Sequence, residues 1–181
     1  MSNNNELYFF ALLLPFSMAE EVIAIKKHFS EKYESSKALN SPPHITIIPP
    51  FFSNDMFEKI MENKVTELVK GTQPFEVKLS GYGHFNKKVM YIDVEKNKSL
   101  EDFSNNFSSF FNGHGFEFGN TNRLTHPHVT LAFRDLTQEN FEKAWPHFKD
   151  NNFSAHFNVM SIHLLKHRDQ TWNVVKEFSF S

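Results

Sequence analysis

Two tripeptides of the same form, His44-Ile45-Thr46 and His128-Val129-Thr130, are the residues of this chain best suited to chemistry. In an extended strand residues i and i+2 share a face. Each tripeptide therefore presents one imidazole beside one hydroxyl, and Ile45 or Val129 points the other way into a core. Cleavage of a phosphodiester by water needs a base to take a proton from the nucleophile and an acid to protonate the leaving oxygen. Histidine, with an ordinary pKa of about 6.5, serves in either role near neutrality. Threonine hydroxyls can donate to the non-bridging phosphate oxygens and offset charge as it builds. A single His-x-Thr carries little information. Two copies, each preceded by proline and continued by an apolar strand, read as one composite site that needs neither metal nor cofactor.

The elements that must hold these tripeptides recur in the same order. Leu7 to Leu14 reads as a buried strand, Ser17-Met18-Ala19-Glu20 as a capping box, and Val22, Ile25, Phe29 and Tyr33 as the apolar stripe of the helix it starts. The first motif strand is fenced by Pro42-Pro43 and Pro49-Pro50. A helix from about Asn54 to Val69 and an alternating strand through Phe75, Val77 and Leu79 follow. From Val89 the pattern restarts: a strand to Val94, a cap at Ser99-Leu100-Glu101-Asp102, and a helix striped by Leu100, Phe103, Phe107, Phe110 and Phe111. Then come the second motif strand, a helix from about Thr137 to Phe148, and a strand through Phe157 and Val159. The intervals from opening strand to motif, and from motif to closing strand, agree closely between the halves. The expectation is an α+β fold made of a duplicated β-α-β-α-β unit, with halves at about 6–85 and 86–181 in one domain. A pseudo-twofold axis would relate them, antiparallel sheets would line a central cleft, and a last strand would run from Trp172 to Phe180.

Composition narrows the function. With 19 Lys+Arg against 21 Asp+Glu the net charge is -2, which argues against a protein that grips long nucleic acid by counterion release; a nucleic-acid substrate would be short or touched only at its end. The chain has no cysteine, so thiolate catalysis and cysteine zinc sites are excluded. Its longest apolar run stops at Pro15, far short of the roughly 20 residues that cross a bilayer, and Ser2 to Glu6 lacks the charge of a secretory leader. These features predict a cytoplasmic protein without membrane contact, and they leave the oligomeric state open.

Other residues offer secondary roles. Arg134, at the end of the second motif strand, is suited to meet a phosphate bidentately or to stand solvated; Arg123 is the other basic residue nearest that motif. Phe51, Phe52 and Phe85 can stack on a base or pack in the core, which 22 phenylalanines must fill. His126 reads as a turn residue beside Pro127, with a metal pair formed with His128 as the competing reading. Gly81-Tyr82-Gly83 reads as a turn and is no phosphate loop, because no helix and no Lys-Ser/Thr follows it.

Pro42-Pro43-His44-Ile45-Thr46 and Pro127-His128-Val129-Thr130-Leu131 resemble the paired signature of the two-histidine phosphoesterase superfamily, in its 2′-5′ RNA ligase-like and cyclic phosphodiesterase branches. Ala11-Leu12-Leu13-Leu14-Pro15 and Leu79-Ser80-Gly81-Tyr82-Gly83-His84-Phe85 also look like that family, so the likeness spans nearly the whole chain. It implies a bilobal α+β fold and hydrolysis of 2′,3′-cyclic or 2′-5′ phosphodiesters on RNA ends or small nucleotides, with ligation as the reverse reaction. His44 and His128 would then be the acid-base pair, and Thr46 and Thr130 the phosphate donors. The alternative function is a nucleotide-binding sensor that keeps the cleft without useful turnover.

Overall fold

In the computed structural model, residues 6–54, 56–113 and 126–180 are described. Eight strands form one antiparallel sheet: β1 (Glu6–Leu13), β2 (His44–Ser53), β3 (Phe75–Phe85), β4 (Val89–Val94), β5 (His128–Ala132), β6 (Ser154–Val159), β7 (Ser161–Arg168) and β8 (Thr171–Ser179). Among the described residues four α-helices cover one face: α1 (Phe16–Tyr33), α2 (Phe57–Val69), α3 (Lys98–Gly113) and α4 (Gln138–Phe148). The α+β class and the antiparallel sheet are as the sequence leads one to expect.

The strand order is β6-β3-β4-β5-β2-β1-β7-β8. Its centre is the junction of β5 with β2, registered through a single pair, Ile45 with Val129. On either side lies a four-stranded half. The sequence halves exchange elements across this junction instead of each building a lobe alone: β3 pairs with β4, and β7 pairs with β1. The helices follow suit. Phe107 and Phe111 of α3 lie 5.1 and 5.0 Å from Phe10 of β1, while Phe29 of α1 stacks 4.9 Å from Phe148 of α4. The spatial counterpart of β3 is accordingly β7, and β6, the strand of Phe157, is an outer edge like β8.

The even residues of β1, Tyr8, Phe10 and Leu12, join the main core between sheet and helices. Its odd residues Phe9, Ala11 and Leu13 form a small separate cluster with Leu165 and Trp172. Period-2 alternation thus gives the sheet a second face, turned away from the four α-helices. A fully buried Phe10 meets Phe51, Phe57, Phe107, Phe111 and Phe178, so part of the phenylalanine excess is used here. Buried Lys166 ties α2 to the sheet: its Nζ lies 3.0 Å from Glu58 Oε1, which also accepts from the Tyr8 hydroxyl at 2.9 Å.

Several boundaries differ from expectation for local reasons. α1 begins behind Pro15 with no side-chain cap, because proline already fixes the entry φ, and Ser17 lies within the first turn. α3 is capped by Asn97, whose Oδ1 accepts from Leu100 N at 3.0 Å, and not by Ser99. Thr137 caps α4 as its position suggests. β2 continues through Pro49-Pro50, where two residues oppose the single Phe9 in a bulge, so the prolines interrupt no ladder. Gly81-Tyr82-Gly83 is likewise strand, with an irregularity between Leu79 and Tyr82 and Gly81 at φ +71°.

Phe10→Ala is expected to destabilise the protein by about 3–5 kcal/mol, the range for removing a fully buried ring. Urea unfolding followed by tryptophan fluorescence measures this, and a loss under about 1 kcal/mol would contradict a Phe10-centred core.

Candidate active site

The junction of β2 and β5 brings the two tripeptides together. Ile45 and Val129 are fully buried on the helix side, which leaves His44, Thr46, His128 and Thr130 half-buried on the opposite face. Neighbouring strands repeat the register: Leu13 lies opposite His44 and Ala11 opposite Thr46, while Asp93 lies opposite His128 and Tyr91 opposite Thr130.

Both imidazoles are oriented in the same way. His44 Nδ1 is 2.6 Å from the Pro42 carbonyl, and His128 Nδ1 is 2.8 Å from the His126 carbonyl. A carbonyl only accepts, so Nδ1 carries the proton in each ring and Nε2 keeps its lone pair. The residue between histidine and carbonyl is proline in both cases, Pro43 and Pro127. Its fixed φ builds the turn that returns the carbonyl to the ring. Burial pushes His44 down to about 4; the Pro42 carbonyl opposes that shift, and the charges of Lys26 and His128 add to it. His128 is also lowered by burial, with the His126 carbonyl and Asp93 acting against the shift.

A cavity of about 300 Å³ opens onto His44, Thr46 and Thr130, with Arg134 at its edge and Phe9, Phe133 and Trp172 among its walls. Phe9 lies 4.9 Å from the His44 ring and 4.5 Å edge-on from Trp172. On the other side, Phe85 and Tyr91 stand 5.0 and 5.1 Å from His128. Gly83 makes that possible: a Cβ there would sit 2.5 Å from the Tyr91 ring. His126 Nε2 is 3.1 Å from Asp93 Oδ1, and the Asp93 side chain also accepts from Val94 N.

Two further groups shape the wall beside His44. Buried Lys26 donates to the carbonyls of Ala38 and Ser41, at 2.9 and 3.1 Å, and burial lowers its pKa to about 8. Asp135 grips the same segment from outside. Its carboxylate accepts from Ser35 Oγ at 2.8 Å, Ser36 N at 2.8 Å and Lys37 N at 2.9 Å, capping the 3-10 turn Lys37–Asn40. Partial burial alone would raise the Asp135 pKa, but these hydrogen bonds outweigh it and hold the carboxyl below its ordinary value. Arg134 sits just before it at φ +58°, in a tight turn closed by Asp135 N to the Phe133 carbonyl.

Of the residues singled out by sequence, the structure gathers His44, Thr46, His128 and Thr130, places Arg134 on the cavity and Phe85 against His128. Phe51 does not join them: it is buried among Tyr8, Phe10 and Phe57 on the helix side. Phe52 is exposed, and Arg123 lies outside the described residues. His126 faces Asp93 instead of pairing with His128 around an ion. Among the described residues, no group of three or more His, Asp or Glu side chains could hold a metal, and no helix is long and apolar enough to cross a membrane. Sequence reasoning misses Phe9, Tyr91, Trp172, Lys26, Asp93 and Asp135, since each reaches the site through strand pairing or long-range hydrogen bonds that have no local signal.

The sequence model of the 2′-5′ RNA ligase superfamily matches residues 14–171. A candidate phosphoesterase of Geobacillus kaustophilus (strain HTA426) is 26% identical over 153 residues, covering 83% of this chain and 84% of that protein. A second, from Bacillus mycoides (strain KBAB4), is 26% identical over 155 residues, covering 82% and 84%. Among solved structures, a protein of Thermus thermophilus superposes with a TM-score of 0.68 at 16% identity, covering 96% of this chain and 97% of that one. Escherichia coli LigT, complexed with 3′-AMP, superposes with a TM-score of 0.67 at 18% identity, covering 98% and 99%. These structural likenesses are likenesses of fold.

Asp135→Asn is expected to cost about 1–2 kcal/mol at pH 7, the range for a charged cap with several donors. Because the folded pKa lies below 3.8, the carboxylate's stabilisation is whole above that value and is lost as pH falls through the folded one. Urea unfolding of both proteins at pH 7 and pH 3 tests this, and a gap that does not narrow at pH 3 would contradict it.

Proposed function

The chain belongs to the 2′-5′ RNA ligase superfamily, the two-histidine phosphoesterases, and from that premise we propose that it hydrolyses 2′,3′-cyclic or 2′-5′-linked phosphodiesters of small nucleotides or RNA ends. The observation that carries this reading is the matched pair of imidazoles across the β2–β5 junction. Each has its Nδ1 proton committed to a carbonyl, its Nε2 lone pair unprotonated, and a threonine two residues on along the strand.

In the proposed reaction one imidazole takes a proton from water as its oxygen bonds to phosphorus. The other protonates the ribose oxygen as its bond to phosphorus breaks. Thr46 and Thr130 donate to the non-bridging oxygens, and Arg134 from the rim compensates their charge. The aromatic wall of Phe9, Phe133 and Trp172 suits a base, and Phe85 adds a ring on the His128 side. LigT is a relative in fold whose complexes include 3′-AMP and ATP, which favours a nucleotide in the equivalent cleft here. Ligation of 2′-5′ ends is the same path run backwards. A net charge of -2 fits a small nucleotide or a chain end better than extended RNA.

Purified protein is expected to open a 2′,3′-cyclic mononucleotide in EDTA to a single nucleoside monophosphate, with product position assigned by phosphorus NMR. His44→Ala and His128→Ala should each lower kcat/KM by about 10²–10⁴-fold, the range of one acid or base. Tight nucleotide binding with no product from any cyclic or 2′-5′ substrate would support the sensor alternative and reject hydrolysis.

A further inference from the structure

The helix side of the sheet, away from the two imidazoles, holds a cavity of its own. Its volume is about 550 Å³, against about 300 Å³ beside His44, and it lies where the end of α2, the start of β3 and the first turns of α3 meet. The floor is aromatic. Phe75 of β3 is 5.7 Å from Phe103 of α3, Phe103 is 5.6 Å from Phe107, and both rings of α3 are buried. Phe107 also lies 5.1 Å from Phe10 in the main core, so the sheet stands between this cavity and the histidines.

The sequence around it explains why the space stays open. α2 ends at Val69, Gly71 turns the chain at φ +79°, and Thr72-Gln73-Pro74 then leads into β3 as one rim. Ser99, Asp102 and Asn106 are spaced three and four apart, so a single face of α3 supplies the other rim. Thr72, Gln73, Ser99 and Asn106 bring two hydroxyls and two carboxamides. Among the described residues, none of these four side chains makes a hydrogen bond. Asp102 is the only charged residue lining the cavity, and its carboxylate is paired with Lys98 one turn earlier.

This lining is the inverse of the one beside His44, where Arg134 and imidazole await an anion. Here a phosphate would meet a carboxylate and, among the described residues, no lining Lys, Arg or His. Aromatic rings below and amides at the edge are the complement of a flat, uncharged heterocycle. We propose that this cavity is a second ligand site, separate from the cleft of the histidines, that takes an uncharged purine nucleoside. The base lies on the phenylalanine floor. A carboxamide of Gln73 or Asn106 donates from its NH₂ to adenine N7 and accepts from the N6 amine through its oxygen, a pairing that both amides can make. Asp102 accepts from the ribose hydroxyls, as carboxylates do in other nucleoside sites. The molecule then has one site for nucleosides that carry phosphate and another for those that have lost it. The second does not depend on the reaction proposed above.

The test is a ¹⁵N-edited NMR titration of the whole chain with adenosine, following the side-chain NH₂ signals of Gln73 and Asn106 and the indole N–H of Trp172, which reports on the other cavity. Gln73 and Asn106 should shift saturably with a Kd of about 0.1 mM, the scale expected for a ligand of this size. AMP should bind there at least about tenfold more weakly, because its phosphate meets Asp102. Asp102→Asn, at an exposed position, should weaken adenosine by about 5–10-fold and narrow its advantage over AMP. Asn106→Leu should weaken adenosine while the Trp172 signal keeps its wild-type response. No saturable shift at Gln73 and Asn106 by about 5 mM adenosine would overturn the proposal. So would shifts confined to Trp172, or AMP binding at Gln73 and Asn106 as tightly as adenosine. The titration needs no turnover, so a failure to hydrolyse cyclic or 2′-5′ substrates and a failure of this site are read separately.

Discussion

The site depends on a junction one residue pair wide. Ile45 and Val129 meet where two four-stranded halves join, and because a strand alternates faces, fixing those two side chains in the core also fixes His44, Thr46, His128 and Thr130 on the opposite face. A slip of one residue on either strand would bury an imidazole among phenylalanines and expose an aliphatic chain. The cost of that error is a few kcal/mol per misplaced side chain, so hydrophobic burial on the far side of the sheet acts as the registration device for the polar side.

A junction this narrow would be weak if each half folded on its own elements. The exchange of β3 and β7, and of the helices above them, compensates. α1 leaves β1 yet packs with α4 over the half that contains β5, and α3 leaves β4 yet packs on β1 and β2. Separating the halves would therefore uncover Phe29, Phe107 and Phe111 as well as the junction. Asp135 adds a polar link of the same kind, joining the end of one motif strand to the approach to the other across 100 residues of sequence.

What the sequence reveals follows from range. The four motif residues are legible because period-2 spacing, a preceding proline and a repeated setting are all local signals. Phe85, which lies far from both motifs along the chain, meets His128 only because β3 pairs with β4 and β4 with β5. Counting by twos from His44 already puts Phe51 on the Ile45 side, and the two irregularities in the β1–β2 register each add one residue to β2 and together restore the alternation, so its core position is readable and the abundance of phenylalanine obscures it. Cap positions mislead where a stronger feature lies close by, Pro15 for α1 and Asn97 for α3. The strand exchange, Lys26, Asp93 and Asp135 are not legible, because each is defined by a partner far along the chain. A repeat in sequence specifies equivalent elements; it does not say whether an element packs on its own unit or the other.

The same distinction bears on the chemistry. Holding His44 protonated in its present surroundings, with its pKa at about 4 against an ordinary 6.5, would cost roughly 3 kcal/mol. The cleft by itself therefore favours two neutral rings, and little of the folding free energy is tied up in a buried charge. That neutrality is conditional. In the proposed reaction a phosphodiester would bring a negative charge between the rings, in surroundings from which water is partly excluded, and there the energy that disfavoured an imidazolium would favour one. The protonation state the proposed reaction needs would thus be created by the substrate that uses it. A histidine buried for this purpose requires a satisfied Nδ1, since an orphaned polar atom would add its own penalty. This explains why the carbonyls of Pro42 and His126, returned to the rings by Pro43 and Pro127, belong to the site as much as the imidazoles do.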